Sequence, residues 1–440
     1  MALTTVTTDA ERTLSAMFER RSADFSSAPL DRARADAFQR FSAAGLPHRR
    51  VEAYKYTDLK SKLRTLPEPA GEVSEADIEA ALGAHPPFTT DAHRVVIANG
   101  RLIEERSSVP EGVRLSSILS SGADTEDVGA LVADNDDPLT LANISLFEGG
   151  AVLHVDGEAG APVEIVHVLP NGALAMGRVA IFVAPGMGAS IIERFLCPAD
   201  GVANNLAEIT VGAGARLSVV RIAEDHSTGY SSFSNHHITV AETSQLEHLT
   251  VSTGLGLTRN QVFCAVRGDD AEANFRAATV AVGARHVDNT LVMRHDALHS
   301  RSSEVFRSAV GDGGISIVQG RIIVDPGAQK TDAKMMSNAL FLDDSGEVVN
   351  KPELEIFADD VQCGHGATSG DLDEDPVFYL RARGIPEAVA RRLLVEAFLV
   401  DALDRVEDDA LRDGLADSLR AALAKNLGGA SDAVGLRKAG

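Results

Sequence analysis

Short apolar runs separated by turn residues dominate the middle of the chain, from about residue 140 to residue 340. Many of these runs alternate apolar with polar positions, which is the period of a strand with one buried face. Glycines punctuate the turns between them, and we expect Gly212, Gly214, Gly313 and Gly314 to need a positive φ angle. The pattern predicts a β core. Its clearest runs are 163–168, 179–183, 217–220, 246–251 and 315–318.

The predicted strands are many, short and spaced by roughly 15 to 20 residues, and a sheet of that length needs protected edges. A sandwich, a barrel or a stacked solenoid would each protect them. We favour a β-helix-like solenoid because helical patterns flank the strands at both ends, although no strict sequence repeat is present. The predicted divisions are a mainly helical region 1–95, a β-helix core 96–368 with a short β lead-in, and a helical region 369–440.

The sequence predicts helices in two parts of the N-terminal region. Residues 8–45 have a helical composition that only Pro29 interrupts, and a stop follows at Gly45-Leu46-Pro47. A shorter helix is expected at 72–83. Between these helices, the segment 46–57 is dense in charged and aromatic residues and is unlike a plain linker. After them, a strand is expected at 93–98, before the Asn99-Gly100 turn.

The sequence pattern of the C-terminal tail predicts three helices. Asp375-Pro376 forms an N-cap and N1 pair for the first helix, and Gly384 is placed to end it. Pro386 opens the second helix, and the third spans about 409–426 and ends near Gly428-Gly429. The second helix carries an apolar stripe, which favours packing inside the protein over a partner surface. The stripe consists of Val389, Leu393, Leu394, Ala397, Phe398, Val400 and Leu403.

Composition narrows the classes of function. The hydrophobic share of 44% and the charged share of 24% are those of a globular protein. A formal charge of −23 argues against non-specific binding to nucleic acid or to an anionic membrane surface. Three scattered cysteines are no disulfide framework, which favours a reducing compartment. We expect a cytoplasmic protein, because the N-terminus lacks a secretory pattern and no apolar run approaches about 18 residues.

Cys363 and His365 are the main candidates for chemistry. They lie two apart in a strand-like run, so a soft thiol and an imidazole would face the same side. This pair suits iron, copper(I) or zinc, but two ligands leave a four-coordinate metal half filled, and a partner chain would have to supply the rest. Two alternatives remain open at this point: a purely structural pair, and a Cys363 nucleophile whose pKa is lowered by His365.

Other candidate residues have simpler interpretations. No glycine-rich phosphate loop opens a helix in the sequence, so we expect no nucleotide site in this chain. His286, His295 and His299 match no metal-ligand spacing and are expected to be structural or surface residues. Asp359-Asp360 would face opposite sides of a strand and are read as edge or turn residues. The remaining cysteines, Cys197 and Cys264, are expected in the core.

Several stretches resemble the SufB/SufD family of iron-sulfur cluster assembly proteins. The longest is 351–368, which contains Cys363 and His365, and it is followed by a second match at 378–386. His365-Gly366-Ala367-Thr368 resembles the SufD members, whereas SufB members typically carry Glu after this His. Tyr54 stands where the family commonly has Trp. Further matches are 46–57, 320–322 and 328–333.

The resemblance implies a right-handed parallel β-helix between helical ends and a non-catalytic scaffold subunit in a complex with SufB and the ABC-type ATPase SufC. SufC would hydrolyse ATP while docked on the C-terminal helices, and a separate system would donate sulfur. A transient iron-sulfur cluster would form between SufB and this chain, with His365 as the stronger contributor and Cys363 as the weaker one. On its own, the chain could form a homodimer. The rival classes are a β-helix enzyme acting on polysaccharide and a cysteine-nucleophile enzyme.

Overall fold

The computed structural model describes residues 7–26, 28–120, 122–223, 229–254 and 256–426. Its strands and helices are numbered here in chain order. The strands are β1 (His93–Ala98), β2 (Arg101–Leu102), β3 (Val113–Ser117), β4 (Gly149–Val155), β5 (Val163–Val168), β6 (Leu174–Val183), β7 (Gly188–Leu196), β8 (Val202–Val211), β9 (Arg216–Ala223), β10 (Ser231–Val240), β11 (Gln245–Ser252), β12 (Leu257–Val266), β13 (Glu272–Val282), β14 (His286–His295), β15 (Arg301–Gly311), β16 (Ile315–Val324), β17 (Asp332–Phe341), β18 (Glu347–Ile356) and β19 (Gln362–Gly370).

Helices lie before, between and after the strands. The α-helices are α1 (Asp9–Ser22), α2 (Pro29–Ala44), α3 (Leu59–Lys62), α4 (Glu75–Ala84), α5 (Pro138–Leu146), α6 (Glu374–Ala382), α7 (Glu387–Val400) and α8 (Asp409–Asn426). Short 3₁₀ turns occur at Glu52–Tyr54, Glu104–Arg106, Ala123–Thr125 and Asp401–Leu403.

The chain winds as a solenoid, and its strands stack into two mainly parallel sheets. One sheet has ten strands in the order β19-β17-β15-β13-β11-β9-β7-β5-β1-β2, and the other has nine in the order β18-β16-β14-β12-β10-β8-β6-β4-β3. From β4 onward, each coil gives one strand to each sheet, and paired residues are 26 to 32 positions apart. Apolar runs therefore recur about half a coil apart, slightly closer than expected. The variable coil length explains the missing sequence repeat, and the predicted mainly β solenoid between helical ends is confirmed.

The main core fills the space between the two sheets. Alternate residues of each strand point into it, for example Leu246 and Phe275 from one sheet and Ile181 and Val262 from the other. The outer faces are also covered: α1, α2 and α5 pack on the nine-stranded sheet, and α7 and α8 pack on the ten-stranded one. Strands that are buried on both faces are typical of parallel sheets covered by helices.

The N-terminal half differs from the prediction in two places. Residues 8–45 form two helices, because Pro29 lacks a backbone N–H and occupies the first position of α2. The predicted stop is confirmed, with Gly45 at φ 68° after α2. The helix α5, at the start of the predicted β region, was not predicted. Asp137 caps this helix by accepting hydrogen bonds from the backbone N–H groups of Leu139 and Thr140.

Two of the four turn glycines have the expected conformation and two do not. Gly214 and Gly313 have φ angles of 67° and 77°. Gly212 and Gly314 do not have a positive φ and are required for a different reason, the close approach of a neighbouring coil. A Cβ at Gly212 would lie 2.7 Å from the carbonyl oxygen of Val183. The prediction of positive φ is therefore wrong for this pair.

The C-terminal helices occur where they were predicted, with changes in detail. Asp373 caps α6 in place of the expected Asp375, and Pro386 directly precedes α7. The third helix has the predicted bounds, while Gly428-Gly429 lies outside the described residues. Most side chains of the predicted apolar stripe on α7 are only partly buried. The side chains of α7 and the following 3₁₀ turn that are buried against the sheet are Ala390, Val395, Leu399, Ala402 and Leu403.

Candidate functional site

Cys363 and His365 lie on β19, the last strand of the ten-stranded sheet. In the parallel register with β17, Cys363 is opposite Ala333 and His365 is opposite Met335. Ala333 and Met335 are buried in the core, so the side chains of Cys363 and His365 are directed to the same, core-facing side of the sheet. The strand alternation inferred from the sequence places the two ligands together.

The pair occupies the uncovered end of the solenoid. Within the described residues, no further strand pairs with the outer edges of β18 and β19. Cys363 is half-buried against the core, whereas His365 is exposed. Both line an open hollow of ≈490 Å³, together with Lys334, Met335 and Met336 and the adjoining backbone of β19. Both side chains can therefore be reached from solvent or from a docked partner.

The electrostatic environment keeps Cys363 as a thiol. Burial raises its pKa, and the negative charges of Asp332 and Glu304 raise it further, although the backbone hydrogen bond from Ala333 acts in the opposite direction. The described hydrogen bonds do not link Cys363 to His365. A nucleophilic cysteine needs a lowered pKa, so this environment opposes the nucleophile interpretation.

Glu304 is a buried carboxyl group beneath this end that the sequence analysis missed. It lies on β15, and the register aligns it with Met335 on β17 and then with His365 on β19. Burial raises its pKa to about 8, and among the described residues neither carboxylate oxygen has a partner that meets hydrogen-bond geometry. The Ser302 hydroxyl partly offsets this rise in the pKa of Glu304. The same hydroxyl is hydrogen-bonded to His295 Nε2 at 3.0 Å. No sequence signal identified Glu304, because polar residues occupy both faces of β15.

The predicted structural histidines lie apart from the candidate pair. His286 is buried with Nε2 3.0 Å from the Thr57 hydroxyl. His295 is buried with Nδ1 2.8 Å from the Ser300 hydroxyl, and His299 is exposed in a turn with φ 55°. Burial lowers the pKa of His286 and of His295 to about 4, so both are neutral at physiological pH. The structural interpretation fits all three positions.

The other sequence candidates also have structural positions. Asp359 and Asp360 form an exposed turn between β18 and β19, and Asp360 pairs with Lys330. Cys197 and Cys264 are buried, and burial raises the pKa of Cys197 to about 12. Among the described residues, no group of three or more His, Cys, Asp or Glu side chains is arranged to hold a metal ion. Cys363 and His365 remain an accessible pair of candidate ligands.

The helices offer no membrane-crossing segment in the part of the chain that the structure describes: none is both long enough and apolar enough. The fold and the candidate site together define a class, a parallel β-solenoid with helical ends that presents a thiol and an imidazole on its last strand.

The chain belongs to the SufBD family. A family model described as "SUF system FeS cluster assembly, SufBD core domain" matches residues 167–398, which include the solenoid from the end of β5 onward, the candidate pair and most of α7. A second family model, "SufBD protein N-terminal region", matches residues 9–160. The resemblance inferred from the sequence motifs is therefore confirmed.

Curated relatives agree with the family models along most of the chain. The iron-sulfur cluster assembly protein SufD of Escherichia coli K12 is 27% identical over 395 residues, covering 85% of this chain and 88% of the relative. An iron-sulfur cluster assembly SufBD family protein of Synechocystis is 25% identical over 387 residues, covering 82% and 84%. One from Mycobacterium leprae is 27% identical over 331 residues, covering 72% and 82%. All three are named as assembly proteins.

Proposed function

We propose that this chain is a non-catalytic scaffold subunit of a cytoplasmic complex that assembles iron-sulfur clusters. Its relatives are named for cluster assembly, and Cys363 and His365, whose side chains could bind a metal, lie on one side of β19. The cluster is the cargo of this site: it forms there transiently, from iron and from sulfide that a separate donor system provides. Family membership favours this function over the polysaccharide enzyme and the cysteine-nucleophile enzyme.

The observation that carries the proposal is the position of His365 and Cys363 on a terminal strand. A sheet edge presents unpaired N–H and C=O groups, so a strand from another chain can extend it. A SufB-like paralogue that pairs with β18 and β19 would bring its own ligands next to the hollow. The two-ligand set would then be completed across an interface. In the absence of that partner, a second copy of this chain has the same edges available.

Apolar side chains around the open end support a protein interface there. Met336, Ile356 and Phe357 are exposed, and Phe357 has 61% of its surface accessible. Met336 lines the hollow itself, and exposed apolar side chains at this end favour contact with another protein. Burial of this end by the SufB-like partner would also remove water from the hollow and strengthen the ligand interactions.

The two candidate ligands are expected to contribute unequally. A cysteine binds metal as a thiolate, so iron must displace the proton of Cys363, whose pKa is raised by burial. His365 is exposed on the same side of the strand and binds through a neutral ring nitrogen. We therefore assign the main role to His365 and a supporting role to Cys363.

A second surface suits the ATPase partner. On α6 and α7, Phe378, Tyr379 and Leu393 are exposed, with 72% of Phe378 accessible, although the opposite side of α7 packs on the solenoid. The sequence has no phosphate-binding loop of its own. A SufC-like ABC ATPase docked on these helices would hydrolyse ATP and transmit its movement to the interface with the SufB-like subunit.

Co-expression with the SufB-like and SufC-like proteins of the same organism tests whether the two surfaces are separate. Phe357→Asp should release the SufB-like subunit and retain the ATPase, because a charge would be buried at the open end. Leu393→Asp should have the reverse effect. Native mass spectrometry of the purified complexes measures both outcomes.

Leu119→Asp is the matched control, since Leu119 is 49% exposed away from both surfaces and its substitution should leave the complex intact. The proposal fails if the unaltered chain recovers neither partner. It also fails if the two surface variants behave like the control.

A further inference from the structure

A hollow of ≈590 Å³ lies between the N-terminal end of α1 and the segment 48–64, far along the chain from the candidate pair. Five cationic side chains line it, in a protein with a formal charge of −23. We call it the basic hollow. Its cations are Arg12, Arg49, Arg50, Lys60 and Arg64.

The positive charge of the basic hollow is only partly balanced. Arg12 pairs with Asp9, and Lys60 Nζ lies 3.0 Å from Glu11 Oε1. The remaining cations, Arg49, Arg50 and Arg64, have no carboxylate partner among the described residues. Asp58 also lines the hollow, but its Oδ1 accepts the backbone N–H of Ser61 at 2.9 Å as a helix cap. The cations exceed the carboxylates, and three guanidinium groups remain available to an anion.

The backbone that carries Arg49 and Arg50 is fixed by its own hydrogen bonds. The His48 carbonyl accepts the Val51 N–H at 2.8 Å, and His48 Nδ1 accepts the Arg50 N–H at 3.1 Å. The Pro47 carbonyl accepts the Lys60 N–H at 3.0 Å, which joins the two sides of the hollow. The backbone that carries Arg49, Arg50 and Lys60 is therefore fixed before any ligand arrives, which lowers the entropic cost of binding.

The same segment is anchored to the solenoid just beyond the basic hollow. Tyr54 is fully buried, its hydroxyl donates to Asp137 Oδ2 at 2.7 Å, and the Arg259 guanidinium lies 4.1 Å from its ring centroid. The buried Thr57 hydroxyl donates to Asp288. The sequence motif 46–57 thus divides into an aromatic part that fixes the segment and a basic part that faces the hollow.

The N-terminal end of α1 adds to the positive potential. Thr7, Thr8 and Asp9 line the hollow, and a helix N-terminus carries a partial positive charge. Its first N–H groups are already used: Ala10 donates to the Arg64 carbonyl at 3.0 Å and Glu11 donates to Thr8 Oγ1 at 3.2 Å. The helix therefore contributes its dipole, and the guanidinium groups provide the donors.

We propose that the basic hollow binds a small, multiply charged phosphate anion of the pyrophosphate type. Guanidinium groups match phosphate oxygens in bidentate geometry, and several are needed for an anion with more than one charge. Among the described residues that line the hollow there is no Phe, Tyr or Trp ring, and the His48 ring accepts the Arg50 N–H through Nδ1. Recognition is directed at the phosphates alone.

Isothermal titration of the full chain with inorganic pyrophosphate, at constant ionic strength, tests the proposal. One saturable site is expected, and Arg49→Gln/Arg50→Gln should weaken it at least tenfold. Arg216→Gln/Arg267→Gln is the matched control, because these exposed arginines lie outside the hollow and their removal changes the net charge equally. The control should bind like the unaltered chain. Arg64→Gln provides an independent single variant with the same expected direction.

Two further titrations define the class of ligand. ADP should bind no more tightly than pyrophosphate, because the guanidinium groups recognise the phosphates. Citrate of similar charge should bind at least tenfold more weakly. Absence of a saturable pyrophosphate site, equal losses in the Arg49/Arg50 and control variants, or citrate binding as tight as that of pyrophosphate would overturn the proposal.

Discussion

At the scale of single residues, the buried carboxyl group of Glu304 beneath the candidate site is expected to lower the stability of the folded protein. Burial in the core, where the described residues give its carboxylate oxygens no well-placed hydrogen-bond donor, disfavours the ionised form and raises its pKa to about 8. Its position inward from His365 places a neutral acid under the open end at acidic pH, and a carboxylate at alkaline pH.

Glu304→Gln should stabilise the protein at pH 8 and have little effect near pH 4. The folded protein keeps the Glu304 proton up to about pH 8, whereas the unfolded chain releases it near pH 4.5, so this group lowers stability as pH rises between those values. The gain at pH 8 should be on the order of 4 kcal/mol in the free energy of unfolding. Urea denaturation at both pH values measures it. An equal difference at pH 4 and pH 8 would contradict the buried-acid account.

Sequence reasoning recovered half of the candidate site. Cys363 and His365 could be paired because strand alternation acts over two residues and needs no knowledge of the fold. Met335 and Glu304 could not be added, because they approach the site only through the coil register, which joins residues 26 to 32 positions apart. That register depends on turn lengths that vary from coil to coil, and the sequence alone does not reveal them.

At the scale of elements, the segment 46–57 joins the N-terminal helices to the solenoid. The Ala53 carbonyl accepts hydrogen bonds from Arg259 at 2.8 Å and from Gln319 Nε2 at 3.2 Å, so two different coils hold the segment. Tyr54 lies at the centre of this contact, beneath the Arg259 guanidinium. This buried aromatic ring packs the segment against the solenoid.

Truncating Tyr54 should therefore loosen the N-terminal region. Tyr54→Phe removes the hydroxyl bond to Asp137 and should cost about 1–2 kcal/mol, whereas Tyr54→Ala also leaves a cavity and should cost about 3–5 kcal/mol. Tyr379→Ala is the matched control, since this ring is exposed on α6. Urea unfolding compares the three. Equal losses for Tyr54→Ala and Tyr379→Ala would show that the segment does not anchor the region.

Elements were predicted best where local signals agreed with packing. The strand at 93–98 and the helix at 409–426 have the bounds expected from the sequence. The apolar stripe on α7 was misjudged, because this helix is apolar over much of its surface and periodicity does not choose which apolar side packs. Leu393 and Ala397 of the predicted stripe are exposed, whereas Val395 outside it is buried. The helix α5 was missed because almost all of its residues are buried, so it lacks the polar face that marks an amphipathic helix.

At the scale of the whole molecule, the two ends of the solenoid differ in how their last strands are paired. At the N-terminal end, β2 and β3 pair antiparallel with β1 and β4, so each sheet ends in a short strand. At the other end, β18 and β19 are long and, in the described chain, carry no partner strand on their outer edges. Long open edges favour association, and the candidate ligands lie at this end alone.

This asymmetry supports the proposal that a partner completes a cluster-building site around His365 at the open end. The most direct measurement is cluster formation, followed anaerobically by ultraviolet-visible spectroscopy, on the complex of this chain with its SufB-like and SufC-like partners. His365→Ala should leave the complex assembled and reduce cluster formation at least tenfold, with a smaller loss for Cys363→Ser. Ser369→Ala, exposed on the same strand, should match the unaltered complex. Undiminished cluster formation in an intact His365→Ala complex would contradict the proposal.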